Sequence, residues 1–356
     1  MRVFFATNRD RVGGELIFNQ YPYRGGDWIR FGWADCQFND GPTSDPIITE
    51  HFIAPEQLHE DPEDPDKKRR IFIQAGSPVF LDGLTDYLKA SQGQNGPRRD
   101  ALIFIPGFDY SFKDSIVRAA FLASLYSSPS IEFVPVVFSW PSDGRLTAFA
   151  YRSDRRDAEI SGWAIARAYA ILLERVRKLR VTEKCNARLH LLAHSMGAYA
   201  LRHATAVLGR SDFPAWPAPL FDTAILAAPD DDRDTLETDG KMGLLRRLAM
   251  RVDVYFNKND KPVRIGDDVD GEIDRLGAYG PQNVLAAEAR FTGKLNLIDC
   301  SEIADWTDDM TLHQYYRVEP RVIEDIRDVL HGILPANARH RPAAGYDPVR
   351  RCYVLS

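Results

Sequence analysis

A serine near the middle of the chain has the neighbours that make a hydroxyl group reactive. Residues 189–199 read LHLLAHSMGAY, so that an apolar run ends at Ser195, a glycine follows two positions later, and a small-residue helical pattern begins. A serine on a sharp strand-to-helix turn projects its hydroxyl above the sheet edge, where a histidine can reach it. The same turn aims the N–H of Met196 at the place where a carbonyl oxygen becomes negative. We therefore predict a nucleophile at Ser195.

The stretch 193–197, AHSMG, departs at its first position from the pattern G-x-S-x-G that is typical of such turns. Strand and helix pack tightly around the turn, and Ala193 adds a single methyl group there. An ordinary turn with a solvated serine is the alternative interpretation. The apolar strand before Ser195 and the small-residue helix after it favour the catalytic interpretation.

A serine hydroxyl needs a base, and the base needs an orienting carboxylate. In hydrolases with this turn, the acid and then the histidine follow the serine along the chain. His313 lies in a loop between the last predicted core strand and the last helix, from which it can swing over the sheet edge, and we predict it as the base. The other histidines of this part lie on the helix after the serine, at the end of the last helix and in the tail: His203, His331 and His340.

Two predicted strand ends after the serine carry an acid. Asp260 closes an Asn-rich turn, which is a loop suited to presenting one side chain. The cluster 230–234 is more simply explained by helix N-capping and solvated charge. We favour Asp260 as the orienting carboxylate, with Asp230 or Asp232 as the alternatives.

The loop 106–112 follows an apolar strand and is expected to supply the second donor of an oxyanion hole. Gly107 lets the backbone approach a bound acyl group, and the N–H of Phe108 is the candidate donor. A plain glycine turn is the alternative interpretation. Four aromatic residues near predicted strand ends are candidate walls of a substrate pocket, namely Tyr110, Trp140, Tyr199 and Phe256. Packing in the core would explain each of them equally well.

Beyond residue 100, apolar strand patterns at 101–105 and 131–138 alternate with helix patterns at 113–126 and 154–179. A further helix is predicted at 241–250. This alternation predicts an α/β fold with a mostly parallel sheet and helices on both of its faces. Ligands of such sheets bind at the carboxyl ends of the strands, where Ser195 is expected.

We predict a single domain over residues 1–332. Within it, residues 1–95 add antiparallel strands and loops to the sheet, and residues 96–332 form the catalytic core. Residues 333–356 form a C-terminal tail, which either packs on the body or remains mobile.

Composition restricts the function classes. With 44% hydrophobic and 27% charged residues, the chain is ordinary for a globular protein. Its net charge of -6 is spread along the sequence and indicates no nucleic-acid surface. The four cysteines are widely separated and fit no metal site. Neither a membrane span nor a signal peptide is evident, so we expect a cytoplasmic protein, with the oligomeric state left open.

With these residues assembled, the chain resembles the α/β-hydrolase superfamily and, within it, a bacterial family of α/β hydrolases of unknown function, DUF900. The motifs that carry the resemblance follow one another in a set order: 4–9 (FFATNR), 107–108 (GF), 111–112 (SF), 138–142 (FSWPS), 193–197 (AHSMG), 225–230 (ILAAPD) and 313–316 (HQYY). The resemblance implies a serine hydrolase fold with Ser195, Asp260 and His313 at the triad positions. The family usually has histidine where this chain has Pro106, which changes how that loop is held.

These predictions together indicate a carboxylesterase or lipase-like enzyme that hydrolyses a small-molecule ester through an acyl-enzyme. Neither a metal nor an organic cofactor is needed for that chemistry. A thioesterase, an amidase or an acyltransferase would use the same triad. The departures at Ala193 and Pro106 leave a third possibility, a catalytically silent hydrolase fold that serves in binding.

Overall fold

Most apolar runs of the sequence form strands of one large sheet in the computed structural model. The structure describes residues 1–11, 18–22, 28–39, 41, 44–53, 59–60, 70–71, 76–90, 96–142, 148–179, 185–213, 217–263, 274–303, 312–333, 341 and 345–355. Within these ranges, the strands are β1 (Arg2–Thr7), β2 (Arg9–Arg11), β3 (Phe18–Pro22), β4 (Arg30–Gln37), β5 (Ile47–Ile53), β6 (His59–Glu60), β7 (Arg70–Ile71), β8 (Arg98–Ile105), β9 (Ile131–Ser139), β10 (Leu189–His194), β11 (Thr223–Ala227), β12 (Val252–Phe256), β13 (Leu295–Asp299), β14 (Tyr346–Asp347) and β15 (Cys352–Val354).

The helices of the described ranges lie mostly between these strands. They are α1 (Gly76–Lys89), α2 (Phe112–Tyr126), α3 (Ala148–Lys178), α4 (Met196–Leu208), α5 (Leu245–Leu248), α6 (Leu276–Tyr279), α7 (Val284–Phe291), α8 (Tyr315–Val318) and α9 (Pro320–Leu330). A proline at the start of α9 and the reciprocal hydrogen bonds between Ser111 and Asp114 at the start of α2 are ordinary helix-initiating signals.

The large sheet has the strand order β14-β15-β13-β12-β11-β10-β8-β9-β1-β4-β5. Neighbours from β15 to β1 run parallel, whereas β4, β5 and β14 are antiparallel to their neighbours. The predicted mostly parallel sheet with an antiparallel N-terminal extension is therefore confirmed.

The register of the parallel strands brings their carboxyl ends to one edge. In β10, Ala193 pairs with Ile105 at the end of β8, and His194 pairs with Ala227 at the end of β11. Ala227 in turn pairs with Tyr255 near the end of β12. The loops that leave these four strands consequently begin side by side.

Alternate residues of each central strand face two separate hydrophobic layers, as the two-residue period of a strand requires. On one face, Ile105 belongs to a core shared with α1, α3 and α4. On the other face, Phe104 packs in a second core with Ile116 of α2 and Ile326 of α9. The edge that carries the site is therefore held by a sheet that is buried on both sides.

One predicted helix is shorter than expected, and the structure also decides between the two predictions for the C-terminal tail. Only Leu245–Leu248 of the predicted helix at 241–250 is helical, because the preceding residues form turns in which the N–H groups of Lys241 and Gly243 both donate to Thr238 O. The described residues of the tail pack on the body: β15 pairs with β13, and the buried Arg341 donates to Asp325 at 2.6 and 2.8 Å. Regular spacing could not reveal that ion pair.

Candidate active site

Ser195 occupies the sharp turn between β10 and α4. Its backbone angles, φ 52° and ψ −127°, lie in a region that residues other than glycine rarely adopt. The N–H of Ser195 donates to Ala227 O at 3.0 Å, and the N–H of Asp230 donates to Ser195 O at 3.1 Å. These bonds fix the turn to the loop that leaves β11, and they hold the predicted nucleophile at the carboxyl edge of the sheet.

Two glycines are required by the close approach of other backbone to this turn. A Cβ atom on Gly197 would lie 2.4 Å from Ile105 O, so any side chain there would push β8 away from the start of α4. A Cβ atom on Gly107 would lie 2.8 Å from Ser195 Cβ and 3.1 Å from the Nδ1 atom of His194. The loop that follows β8 is therefore seated directly against the serine.

Asp260 and His313, which are far apart in sequence, meet at the same edge of the sheet. The Nδ1 atom of His313 lies 2.9 Å and 3.1 Å from the two carboxylate oxygens of Asp260. Asp260 is fully buried, and its Oδ1 atom also accepts the N–H of Val263 at 3.1 Å. A carboxylate at this distance holds the imidazole in the tautomer that leaves Nε2 available as a proton acceptor.

The alternative acids are bound by other groups. Asp230 accepts the Tyr151 hydroxyl at 2.8 Å, and its other carboxylate oxygen lies 3.4 Å from the guanidinium of Arg275. Asp232 lies 2.7 Å from Arg202 and 2.9 Å from Lys241. These contacts favour Asp260 over either alternative as the partner of a catalytic histidine.

His194, which immediately precedes the serine, was not singled out by the sequence. Its Nε2 atom lies 3.3 Å from the backbone carbonyl of His313, and the two rings are 4.7 Å apart. Burial and the neighbouring His313 hold the pKa of His194 well below its usual value, so the ring is neutral and can donate to that carbonyl. His194 thus links the turn to the loop of the predicted base. The available signal was its position within 193–197, at the buried end of a strand.

The two residues predicted to supply the oxyanion donors, Met196 and Phe108, both lie beside the serine turn. Met196 is the first residue of α4, and N–H groups in the first turn of a helix have no acceptor within that helix. Phe108 lies half-buried in the loop after β8, with its ring edge-on to Tyr151 at a centroid distance of 5.6 Å. Met196 follows Ser195 directly in the chain, and Phe108 follows Gly107, which lies against Ser195.

Comparison with known proteins identifies the family. The model of a family described as "Alpha/beta hydrolase of unknown function (DUF900)" matches residues 88–330, which is more than half of the chain. The chain belongs to this family. The predicted resemblance is confirmed, and the protein is an α/β hydrolase. None of the curated proteins matches the sequence.

A solved structure with some similarity is the crystal structure of Zea mays acyl-protein thioesterase 2. It is 15% identical, the alignment covers 67% of this chain and 95% of that one, and the TM-score is 0.37.

The two positions at which this DUF900 chain departs from the usual pattern are accommodated without disruption. Ala193 is completely buried in the core beneath the turn. Pro106 O accepts a hydrogen bond from the indole N–H of Trp140 at 2.7 Å, which holds the loop from the neighbouring strand end. The fold therefore retains a supported loop at this position without the histidine that the resemblance led us to expect.

The four aromatic candidates for pocket walls fall into two groups. Trp140 and Phe256 are buried in the core, where Trp140 supports the loop after β8. Tyr110 and Tyr199 are only partly buried, and the Tyr199 ring lies 3.9 Å from the guanidinium of Arg155. The two tyrosines are thus better placed than the two core residues to meet a bound molecule.

Among the residues that the structure describes, no three histidine, cysteine or acidic side chains are grouped so as to hold a metal ion. The same part of the chain contains no helix long and apolar enough to cross a membrane.

Proposed function

We propose that this α/β hydrolase cleaves a carboxylic ester through an acyl-enzyme, with Ser195 as nucleophile, His313 as base and Asp260 as the orienting acid. The observation that carries the proposal is the contact between His313 Nδ1 and Asp260 at 2.9 Å, at the sheet edge where Ser195 occupies its strained turn. An imidazole oriented by a carboxylate and a serine on a strained turn, both at the same edge of the sheet, are the groups that acyl transfer requires.

In the first half of the reaction, Ser195 Oγ attacks the ester carbonyl carbon while His313 Nε2 accepts the hydroxyl proton. The carbonyl oxygen becomes negative and is stabilised by the N–H groups of Met196 and Phe108. Asp260 stabilises the imidazolium that forms, without itself taking the proton. The tetrahedral intermediate then collapses, and His313 gives its proton to the leaving alcohol.

In the second half, water attacks the acyl group on Ser195 and loses a proton to His313. The same two N–H groups bind the second oxyanion. Collapse of this intermediate returns the proton to Ser195 Oγ and releases the carboxylic acid. All of the groups required by this scheme belong to the chain, so the proposal includes no metal or organic cofactor.

The test is covalent labelling with a fluorophosphonate, followed by hydrolysis assays with a series of chromogenic esters. We expect the native protein to be labelled at Ser195. We expect Ser195→Ala to abolish labelling and to lower kcat by on the order of 10⁶-fold for an efficient substrate. Ser130→Ala, at an exposed serine between α2 and β9, is the matched control and should behave like the native protein.

Each outcome bears on a different part of the proposal. Retention of most esterase activity in Ser195→Ala would rule out the mechanism. Failure of several fluorophosphonates to label the native protein would favour a binding role for a catalytically silent fold. Thioester and amide substrates tested beside the esters would show whether the same residues act on a different bond.

A further inference from the structure

Arg9 carries a guanidinium group and is almost completely buried. It lies in β2, directly after the first strand of the large sheet, and is 1% exposed. Burying a guanidinium group is costly unless its N–H groups find acceptors. The position of those acceptors therefore indicates what the side chain holds in place.

The guanidinium of Arg9 connects the loops that leave β8 and β9. Its Nη2 atom donates to Tyr110 O at 2.6 Å, in the loop after β8. Its Nη1 atom donates to Ser142 O at 3.0 Å, in the loop after β9, and its Nε atom donates to Ser139 Oγ at 3.0 Å, at the end of β9. A further bond joins Nη1 to Asn19 O at 3.2 Å.

The loop 106–110 is held at both ends by this group of residues. At its start, Pro106 O accepts the indole N–H of Trp140. At its end, the N–H of Tyr110 donates to Ser142 Oγ at 3.3 Å, and that hydroxyl donates to the buried Asp154 at 2.6 Å. Arg9 crosses between the two loops and accounts for the shortest of the bonds to Tyr110.

We infer that Arg9 is a positioning residue for acyl transfer, which sets the loop 106–110 so that the N–H of Phe108 faces the developing oxyanion. The inference rests on the proposed function. Phe108 lies between the two anchored ends of the loop, and Gly107 beside it is in contact with the serine turn. A planar guanidinium fixes several carbonyl groups in one plane, whereas an ammonium group does not.

The test compares Arg9→Lys with Arg2→Lys. Arg2 is at the opposite end of β1, partly exposed, and pairs with Asp35 at 2.7 Å. For Arg9→Lys we expect kcat for ester hydrolysis to fall by about 10- to 100-fold, with KM nearly unchanged, since a displaced oxyanion donor acts on the transition state. Arg2→Lys should leave kcat and KM at native values.

A trifluoromethyl ketone distinguishes positioning from a purely structural role. Its carbonyl carbon bonds to the serine oxygen, the serine proton passes to the histidine, and its carbonyl oxygen becomes an oxyanion. We expect its inhibition constant to rise in Arg9→Lys by the same factor as kcat falls. A purely structural role would instead lower the folded fraction, measured by circular dichroism, and leave both constants unchanged per folded molecule.

If Arg9→Lys does not fold, the same measurements on Ser139→Ala decide the matter, because that change removes the side-chain acceptor of the Arg9 Nε–H and so loosens the guanidinium itself. Unchanged kcat and inhibition constant in the folded variant would overturn this inference alone. A native protein that neither hydrolyses esters nor reacts with fluorophosphonates would overturn the proposed function, and this inference would fall with it.

Discussion

Two adjacent loops at the carboxyl edge of the sheet carry aspartates in contrasting surroundings. In the loop after β12, Asp260 contacts an imidazole and a backbone N–H. In the loop after β11, Asp231 and Asp232 share Arg202, and Asp232 also contacts Lys241. Guanidinium and ammonium groups beside a carboxylate offset its charge, so that it stabilises a nearby imidazolium only weakly. Both loops follow a strand end, so the position of an aspartate does not decide its role. The groups around the carboxylate decide whether it can orient a histidine or instead stabilises the fold.

The largest expected effect separates the two loops by activity. Asp260→Asn should lower kcat for ester hydrolysis by about 10⁴-fold, because the amide favours the wrong tautomer of His313 and cannot stabilise its charged form. Asp230→Asn is the matched control and should lower kcat by less than about tenfold. A larger loss in Asp230→Asn than in Asp260→Asn would move the orienting acid to the other loop.

The second expected effect concerns the loop after β11 and the free energy of unfolding. Asp231 is completely buried against Arg202 and also accepts the Thr235 hydroxyl at 2.7 Å. Asp231→Ala should lower the free energy of unfolding by about 3 kcal/mol, measured by urea denaturation, because it leaves a largely buried guanidinium short of a partner. The exposed pair formed by Arg210 and Asp212 provides the control, since Asp212→Ala should have no measurable effect. Equal losses in the two variants would contradict this view of the β11 loop.

The smallest expected effect is a pH-dependent change in the free energy of unfolding that Asp232 contributes. Burial alone would raise the pKa of Asp232, but hydrogen bonds from Lys241 and Arg202 outweigh burial and lower that pKa from 3.8 to about 2. Its contribution to stability is therefore fully present above pH 3.8 and is lost as the pH falls towards 2. After allowance for solvent screening, it amounts to about 1–2 kcal/mol.

Urea denaturation of the native protein and of Asp232→Asn at pH 5 and pH 3 tests this contribution. We expect the native protein to be more stable at pH 5 and the difference between the two proteins to shrink at pH 3. A difference that is the same at both pH values would mean that Asp232 is not the titrating group.

The sequence predicted those parts of the fold that depend on local pattern. Buried strands and amphipathic helices repeat at short intervals, so the parallel sheet and the turn at Ser195 were accessible from residue spacing. The order of residues along the chain also led to Asp260 and His313, which lie within 2.9 Å of each other. Their roles in catalysis remain predictions.

The remaining features depend on contacts between distant residues. Nothing in the local sequence indicates that His194 faces the carbonyl of His313, or that Arg9 reaches Tyr110. The buried pair of Arg341 and Asp325 similarly joins the tail to α9 without any periodic signal. Single polar contacts of this kind leave no repeating pattern, so they become visible only in three dimensions.

The backbone conformation at Ser195 sets folding stability against the hydroxyl that the proposed mechanism needs. A residue held at φ 52° costs of order 1–3 kcal/mol that an achiral residue would avoid. Glycine at this position would relax the turn and stabilise the folded state, but it would remove the hydroxyl. Ser195→Gly should therefore stabilise the fold while it abolishes the proposed activity, so that folding stability and activity oppose each other at this position.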